Sequence, residues 1–533
     1  MKYLGCAIIL FLCSVPAISD EGQHHEDLTP EQIGTVHFPI SCAVSVQKPF
    51  ERGVTLLHSF WYEEAQKEFE AIARQDPQCS MAYWGIAMSL WHQLWNHPDA
   101  STMKNANEVL SHAPKAKTPR ERDYIEAIAT FYADSDHLNY QQRASACSNA
   151  MERIYHKYPD DREAAAFYAL SLLASEPDND AGNVNRQKAA AVLEQLFAVE
   201  PDHPGVAHYL IHSYDKPELA HLGLPAARRY AQIAPAAPHA LHMPSHIFAR
   251  LGLWQDDIDS NLASIAATRK SAAMHLGGEG HQFHAIGFLV YAYLQLGRDA
   301  DAKHVIEEVR SMPPMHDMYG TGYDPRISTL VDSESSYALE RRQWSDAARL
   351  NPVEGAEAGE GAITYATRGI GAARSGDLGA ARKDLAEIES IHNELSKQKG
   401  SSSRKFVDQC RRQVLAWIDH ADGKDPEAIT LLRDMANKES DGISDVGGQI
   451  PPNEMLGDLL LDMKRPQEAL SAYEADLKLN PNRLNGLRGA TQAAQLAGKT
   501  VEASQYRAEL LKVCSGSQSE RCQMEQSHSA PGQ

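Results

Sequence analysis

Basic residues and cysteines are both scarce in this chain of 533 residues. Lys and Arg number 51 against 71 Asp and Glu, which leaves a formal charge of −20. Because no basic cluster is longer than a few residues, we expect neither a nucleic acid nor an anionic membrane as partner. Eight cysteines are too few and too dispersed to frame a small disulfide-stapled fold. Packed secondary structure must therefore supply the stability.

Long apolar runs are absent beyond the first residues of the chain. The start, MKYLGCAIILFLCSVPAIS, has one charge, an apolar run over 4–15 and small residues at Ala17 and Ser19. This pattern predicts a secretory signal peptide at 1–19, cleaved before Asp20. No later run reaches 18 apolar residues, so the mature chain should be exported without membrane insertion. We expect a periplasmic or extracellular location.

Two cysteine pairs are candidates for disulfides, because export leads to an oxidising compartment. Cys42 and Cys79 each precede a helix that neighbours the other, and this is the favoured pair. Cys514 and Cys522 lie eight residues apart in a polar tail and form the second candidate. Cys147 stands where a predicted helix needs a small buried residue, so we interpret it as a packed thiol.

A repeated pattern of small and aromatic residues runs along the mature chain. In YEEAQKEFEAIARQDP, Ala65 precedes Phe69 by one turn and Pro77 ends the helix. A second clear copy is NEMLGDLLLDMKRPQEALSAYEADLKLNP, which begins at Asn453. Both resemble the 34-residue motif of the tetratricopeptide repeat (TPR) family, W-x2-L-G-x2-Y…A-x3-F…P, and roughly ten helical pairs are recognisable. The resemblance implies an all-α fold, an α-solenoid in which antiparallel helix pairs form a right-handed superhelix.

The same pattern predicts the organisation of the chain. Pro39 disfavours helix at Phe38, so VHFPISC should be extended. The predicted segments are a signal peptide at 1–19, an extended lead-in at 20–45, a first TPR-like array at 46–310 with a His-rich segment at 203–284, a loop insertion at 311–328, a second array at 329–513, and a polar tail at 514–533, disordered after Ser515.

Histidines are concentrated in one stretch, 202–254, which holds seven of the 24 in the chain. Two pairs have the spacing of one helical face, namely His208 with His212 and His242 with His246. In the TPR family the first helices of successive pairs line a concave groove. The resemblance places both pairs at the same two groove-facing motif positions, and it adds His284 and Tyr291 to the groove wall. His281, three residues before His284, lies on the same helical face.

Four imidazoles from neighbouring helices can converge on one ion, and imidazole suits Zn, Cu, Ni or Fe. Asp215 and Glu279 could complete the ligand shell or orient a ring. The sequence has no HExxH, CxxC or CxxCH motif, so the site would differ from a zincin, a zinc ribbon or a c-type haem site. Pro244 is a complication, because it can kink the helix between His242 and His246.

Three interpretations of the histidines remain open: a metal or catalytic site, a polar ligand-binding groove, and structural hydrogen bonding. The family resemblance favours an exported scaffold whose groove binds a peptide, a protein or a small ligand. The alternative is a metal-binding protein or metalloenzyme that uses His208, His212, His242 and His246. No Ser or Cys nucleophile has a recognisable elbow, and His58 is interpreted as packing, so no catalytic residue is assigned.

Overall fold

The computed structural model describes residues 28–95, 97–177, 182–315, 323–397, 403–438, 449–517 and 519–522. The predicted signal peptide lies outside the described residues. Within these ranges every regular element is a helix, and no strand occurs. None of the described helices is long and apolar enough to span a bilayer.

Twenty-six α-helices follow one another along the described chain. The first thirteen are α1 Pro30–Ile33, α2 Gln47–His58, α3 Tyr62–Gln75, α4 Ser80–Ser89, α5 Ala100–Ser111, α6 Pro119–Tyr132, α7 Tyr140–Lys157, α8 Arg162–Ala174, α9 Val184–Phe197, α10 Pro204–Tyr214, α11 Ala220–Ile233, α12 Pro238–His242 and α13 Pro244–Arg250. The others are α14 Trp254–Ala273, α15 His281–Gln295, α16 Asp299–Ser311, α17 Pro325–Glu340, α18 Trp344–Ala347, α19 Ala358–Ser375, α20 Leu378–Ser396, α21 Ser403–Ala421, α22 Asp425–Lys438, α23 Pro452–Asp462, α24 Pro466–Leu479, α25 Leu484–Leu496 and α26 Thr500–Val513.

Consecutive helices pack against one another from α2 to α26. The small and aromatic residues of the predicted repeat explain how closely neighbouring helices approach one another. Gly85 on α4 faces the ring of Phe69 on α3 with no room for a Cβ atom, and Gly457 and Gly489 face the Tyr473 ring in the same way. The prediction of an all-α, TPR-like α-solenoid is confirmed.

The extended N-terminal segment fills the inner side of the first repeats. Phe38 is fully buried, and its ring contacts one aromatic ring from each of four alternate helices, α2, α4, α6 and α8. The partners are Phe50, Trp84, Tyr124 and Phe167, with ring centres 5.4, 5.6, 5.1 and 6.4 Å from that of Phe38. Alternate helices therefore form the inner layer. The N-terminal disulfide, Cys42–Cys79, joins this segment to the start of α4.

The first part of the predicted polar tail is packed, which corrects the expectation of disorder from Ser515 onwards. The C-terminal disulfide, Cys514–Cys522, closes a short loop. From this loop Ser517 Oγ donates to the Gly297 carbonyl at 2.7 Å. The Arg521 guanidinium donates to the Leu294 and Glu340 carbonyls at 2.9 Å each. These backbone acceptors hold residues 514–517 and 519–522 against α15, the turn that follows it, and α17. A pattern of polar residues in the sequence cannot show such acceptors.

Candidate metal centre

Seven histidines from adjacent inner-layer helices meet at the middle of the solenoid. They are His208 and His212 on α10, His239 and His242 on α12, His246 on α13, and His281 and His284 on α15. Pro244 does end the helix that the spacing predicted, since α12 stops at His242 and α13 begins at Pro244. The chain continues in helical conformation through Met243 (φ −52°, ψ −35°), so the His242 and His246 rings still meet.

The histidines form two groups, which we call cluster A and cluster B. Cluster A is His208, His212 and His239, and cluster B is His242, His246 and His284. Within each cluster one ring nitrogen per histidine lies within 4.8 Å of the others. The ring centres of the two clusters approach to 6.2 Å between His239 and His242 and to 6.4 Å between His212 and His246. The two clusters are therefore neighbours.

The hydrogen bonds around cluster B fix which nitrogen carries the proton. His242 Nδ1 donates to Asn261 Oδ1 at 2.7 Å, and His246 Nδ1 donates to an Asp215 carboxylate oxygen at 3.0 Å. In the neutral rings both Nε2 atoms are then unprotonated, yet they lie 3.1 Å apart. Two lone pairs cannot form a hydrogen bond with each other. A proton or a metal ion between them would remove the repulsion.

Cluster A has a similar arrangement of nitrogens. His208 Nδ1 lies 2.6 Å from the His58 carbonyl oxygen, to which it must donate. His208 Nε2 therefore presents its single lone pair to His212 Nε2 and to His239 Nε2, each at 3.1 Å. One lone pair in the ring plane serves one donor well, and not two. A single cation could bind all three nitrogens at once.

Burial disfavours the charged form of five of these imidazoles. It lowers the pKa of His208 to about 3 and that of His281 to about 4. Burial, followed by the neighbouring histidines, also holds the pKa values of His212, His239 and His242 well below the ordinary value. Neutral imidazole is the form that binds metal ions, so at pH 7 no proton has to leave these five rings before an ion binds.

Each cluster has its own phenylalanine ring, which contacts all three imidazoles of that cluster. The Phe60 ring centre lies 4.3, 5.8 and 5.5 Å from the ring centres of His208, His212 and His239. The Phe288 ring centre lies 5.1, 4.7 and 5.2 Å from those of His242, His246 and His284.

Access to the two clusters is uneven. His208, His239 and His242 are buried, whereas His284 is exposed. At the histidines the inner face is therefore a packed, partly accessible centre rather than the open groove that the family resemblance implied.

The structure divides the four predicted ligands between two clusters instead of bringing them around one ion. His239, which the sequence reasoning left out, completes cluster A. It stands three residues before His242, a helical spacing that could have drawn attention to it. His284, predicted as a groove residue, completes cluster B.

The other residues predicted to lie near the histidines are placed differently from one another. Asp215 orients the His246 ring, as one of the predicted alternatives proposed, and it also accepts from Arg250 Nε at 2.8 Å. The Glu279 side chain is exposed. Tyr291, expected on the groove wall, is 4% exposed, and its hydroxyl bonds to the Arg483 guanidinium. This buried partner, 192 residues away in the sequence, explains why Tyr291 faces the protein interior.

A third cluster of potential ligands is already satisfied by its own hydrogen bonds. His58 Nε2 and His203 Nε2 each contact one oxygen of Glu163, at 2.8 and 2.9 Å. His58 Nδ1 lies 2.8 Å from the Tyr209 hydroxyl, and all four side chains are buried. Each ring nitrogen of His58 therefore has a protein partner. This agrees with the interpretation of His58 as a packing residue.

No protein-family model and no curated protein matches this chain. Solved structures with similar helical arrays include human IFIT1, as a dimer with m7Gppp-AAAA, at 12% identity and a TM-score of 0.37, covering 86% of this chain and 94% of that one. The TPR domain of P58(IPK) shares 14% identity at a TM-score of 0.22, covering 86% and 99%. Cut9–Hcn1 from the APC/C shares 11% at 0.29, covering 91% and 90%. Likenesses this weak say nothing about ligands, and the expected lack of a nucleic-acid partner stays a prediction.

The class of the protein follows from its own helices. It is an α-solenoid of TPR-like helix pairs that carries a histidine centre in its inner layer.

Proposed function

We propose that this protein binds transition-metal ions at clusters A and B. The observation that carries the proposal is the convergence of unprotonated Nε2 atoms at 3.1 Å, with the Nδ1 atoms of His208, His242 and His246 engaged elsewhere. Metal–nitrogen bonds of 2.0–2.1 Å place two ligand nitrogens about 2.8 to 3.6 Å apart for bond angles between about 90° and 120°. Outer hydrogen bonds of this kind orient metal-bound histidines and fix their tautomer.

The all-imidazole ligand set suits Zn, Cu, Ni or Fe. The test is element analysis of the protein purified without an affinity tag, followed by metal titration of the chelator-treated protein. We expect bound metal in the wild type and none in the double variant His212→Gln, His246→Gln. Exposed His304 on α16 provides the control, because its side chain is 72% exposed and it belongs to neither cluster. A wild type that stays metal-free in the titration would refute the proposal.

A second candidate is the scaffold function that the TPR resemblance implies. A cavity of about 510 Å³ opens between α18, α19, α23 and α25, lined by both cationic and acidic side chains, among them Arg342, Arg374 and Asp458. Such a mixed lining suits a polar peptide segment. Gln492→Trp would fill this cavity. Native mass spectrometry of the exported protein should then lose a co-purifying peptide, and a wild type without any bound mass would contradict this function.

We also propose that the protein is exported. The apolar start of the sequence supports this, as does the formation of both predicted disulfides, which persist in oxidising compartments. Mass spectrometry of the mature protein should find Asp20 as the first residue. A soluble protein that retains Met1 would contradict export.

A further inference from the structure

We infer that the ion held in each cluster is monovalent copper, Cu(I), so that the centre binds two cuprous ions per chain. This inference rests on the proposed metal-binding function and names its metal. Three features of the two clusters support it: the charge of the ligands, the distance between the clusters, and the position of the phenylalanine rings.

The ligands of both clusters are neutral. Neither cluster contains a carboxylate or a thiolate. Among the described residues, Asp215 contacts a ligand ring, that of His246, and it is already paired with the Arg250 guanidinium at 2.8 Å. An ion bound here would keep its full charge beside the buried imidazoles of His208, His239 and His242. The cost of burying an ion rises with the square of its charge, so a monovalent ion incurs about a quarter of the penalty of a dication.

The closeness of the clusters strengthens this preference. Imidazole rings from the two clusters approach to 6.2 Å between His239 and His242, so the two ions would lie within a few ring widths of each other. Their repulsion scales with the product of their charges and is about four times larger for two dications than for two monovalent ions. Filling both clusters is therefore much easier for Cu(I) than for Zn(II).

The number of ligands in each cluster, three, also favours Cu(I). Zinc in proteins takes four ligands, the fourth often being water, whereas Cu(I) is stable with three imidazoles. Phe60 and Phe288 each contact all three rings of one cluster at 4.3–5.8 Å between ring centres. Each cluster thus has an apolar ring on one side, and on that side a fourth ligand such as water finds no strong hydrogen-bond partner.

His281 offers a fourth ligand to cluster A, which would favour zinc over copper there. Its Nε2 is buried without a hydrogen-bond partner, and its ring centre lies 5.3 Å from that of His239. A zinc ion in cluster A would need such a fourth donor, and a cuprous ion would not. The variant His281→Leu therefore distinguishes zinc from copper, and it replaces none of the three ligands of either cluster.

In the test, chelator-treated, full-length protein is mixed with equal amounts of Cu(I) and Zn(II) under anaerobic conditions, and the metal bound per chain is measured. We expect two copper ions and no zinc per chain, with an X-ray absorption edge typical of three-coordinate Cu(I). His212→Gln and His284→Gln, both at the accessible side, should each lose one copper ion, and the double variant should lose both. His281→Leu and the control His304→Gln should retain two.

Two outcomes would overturn the copper assignment while leaving the proposed function intact: zinc outcompeting copper, or loss of cluster A binding in His281→Leu. Binding of a single copper ion per chain would overturn the two-ion centre. A protein that binds neither metal here, and that also stays metal-free when titrated with Ni and Fe, would refute the proposed function as well, so the two failures can be told apart. Circular dichroism confirms that each variant keeps its helical content.

Discussion

Replacing Asn261 by leucine should weaken metal binding at cluster B and leave cluster A unchanged. Asn261 Oδ1 accepts from His242 Nδ1 at 2.7 Å, and both residues are buried. Without this acceptor, the buried N–H would keep only the Ser245 hydroxyl, 3.3 Å from Nδ1, and the loss would cost about 1–3 kcal/mol. The ring avoids that cost by moving its proton to Nε2, from which it can donate to His246 Nε2 at 3.1 Å.

The relocated proton on His242 Nε2 occupies the position proposed for the metal ion. The His242 ring must therefore return to its first tautomer before a metal ion can bind. Loss of such an outer hydrogen bond typically costs 10–100-fold in metal affinity, which corresponds to about 1.4–2.7 kcal/mol. Competition with a chromophoric chelator resolves the two affinities in one chain. Cluster A is the internal control, because the backbone carbonyl of His58 orients His208. Equal weakening of both clusters, or no weakening of cluster B, would refute the tautomer argument.

Three further predictions concern stability. Arg483 donates to two buried carboxylates, Glu340 at 2.8 Å and Glu454 at 2.9 Å. Among the described residues, Arg483→Leu leaves Glu340 with only the Asn485 amide as donor and Glu454 with only Arg342, and it should lower the free energy of unfolding by about 3–5 kcal/mol in urea. Burial raises the pKa of Glu163, but its two histidine partners outweigh that effect and hold the pKa below its usual range. This carboxylate therefore adds stability above about pH 4.3, and the contribution is lost at lower pH; Glu163→Gln should flatten the acid side of the stability profile. Serine replacement of the N-terminal disulfide, which spans 37 residues, should cost about 4 kcal/mol against about 2.5 kcal/mol for the C-terminal disulfide, which spans 8, as compared by denaturation midpoints.

The fold could be predicted because the repeat encodes local contacts. A glycine facing an aromatic ring one helix away, as Gly457 faces Tyr473, is part of a fixed motif, and its spacing is visible in the sequence. The helical spacing of His208 and His212 was visible for the same reason. Both residues lie on α10, where one uninterrupted helix sets their relative positions.

The grouping of the histidines could not be predicted, because it depends on the direction of individual rings. His239 and His242 share the short helix α12, yet the first ring joins cluster A and the second joins cluster B. Periodicity places both on one face and says nothing about this divergence. Tyr291 shows a second limit. Its position in the repeat suggests a groove residue, whereas a distant arginine, Arg483, binds its hydroxyl in the interior.

The inner layer of the solenoid is filled by different chemistry in successive regions. Aromatic rings around Phe38 occupy the first repeats, imidazoles occupy the middle, and the Arg483 network with its two glutamates lies beyond them. Each filling contributes contacts between helices that are not neighbours in sequence, such as α2 with α10 and α15 with α25. These contacts fix the positions of the inner helices relative to one another. That rigidity is what the proposed metal centre requires, because a shift of about 0.5 Å in one helix would move apart the nitrogens that the ion would share.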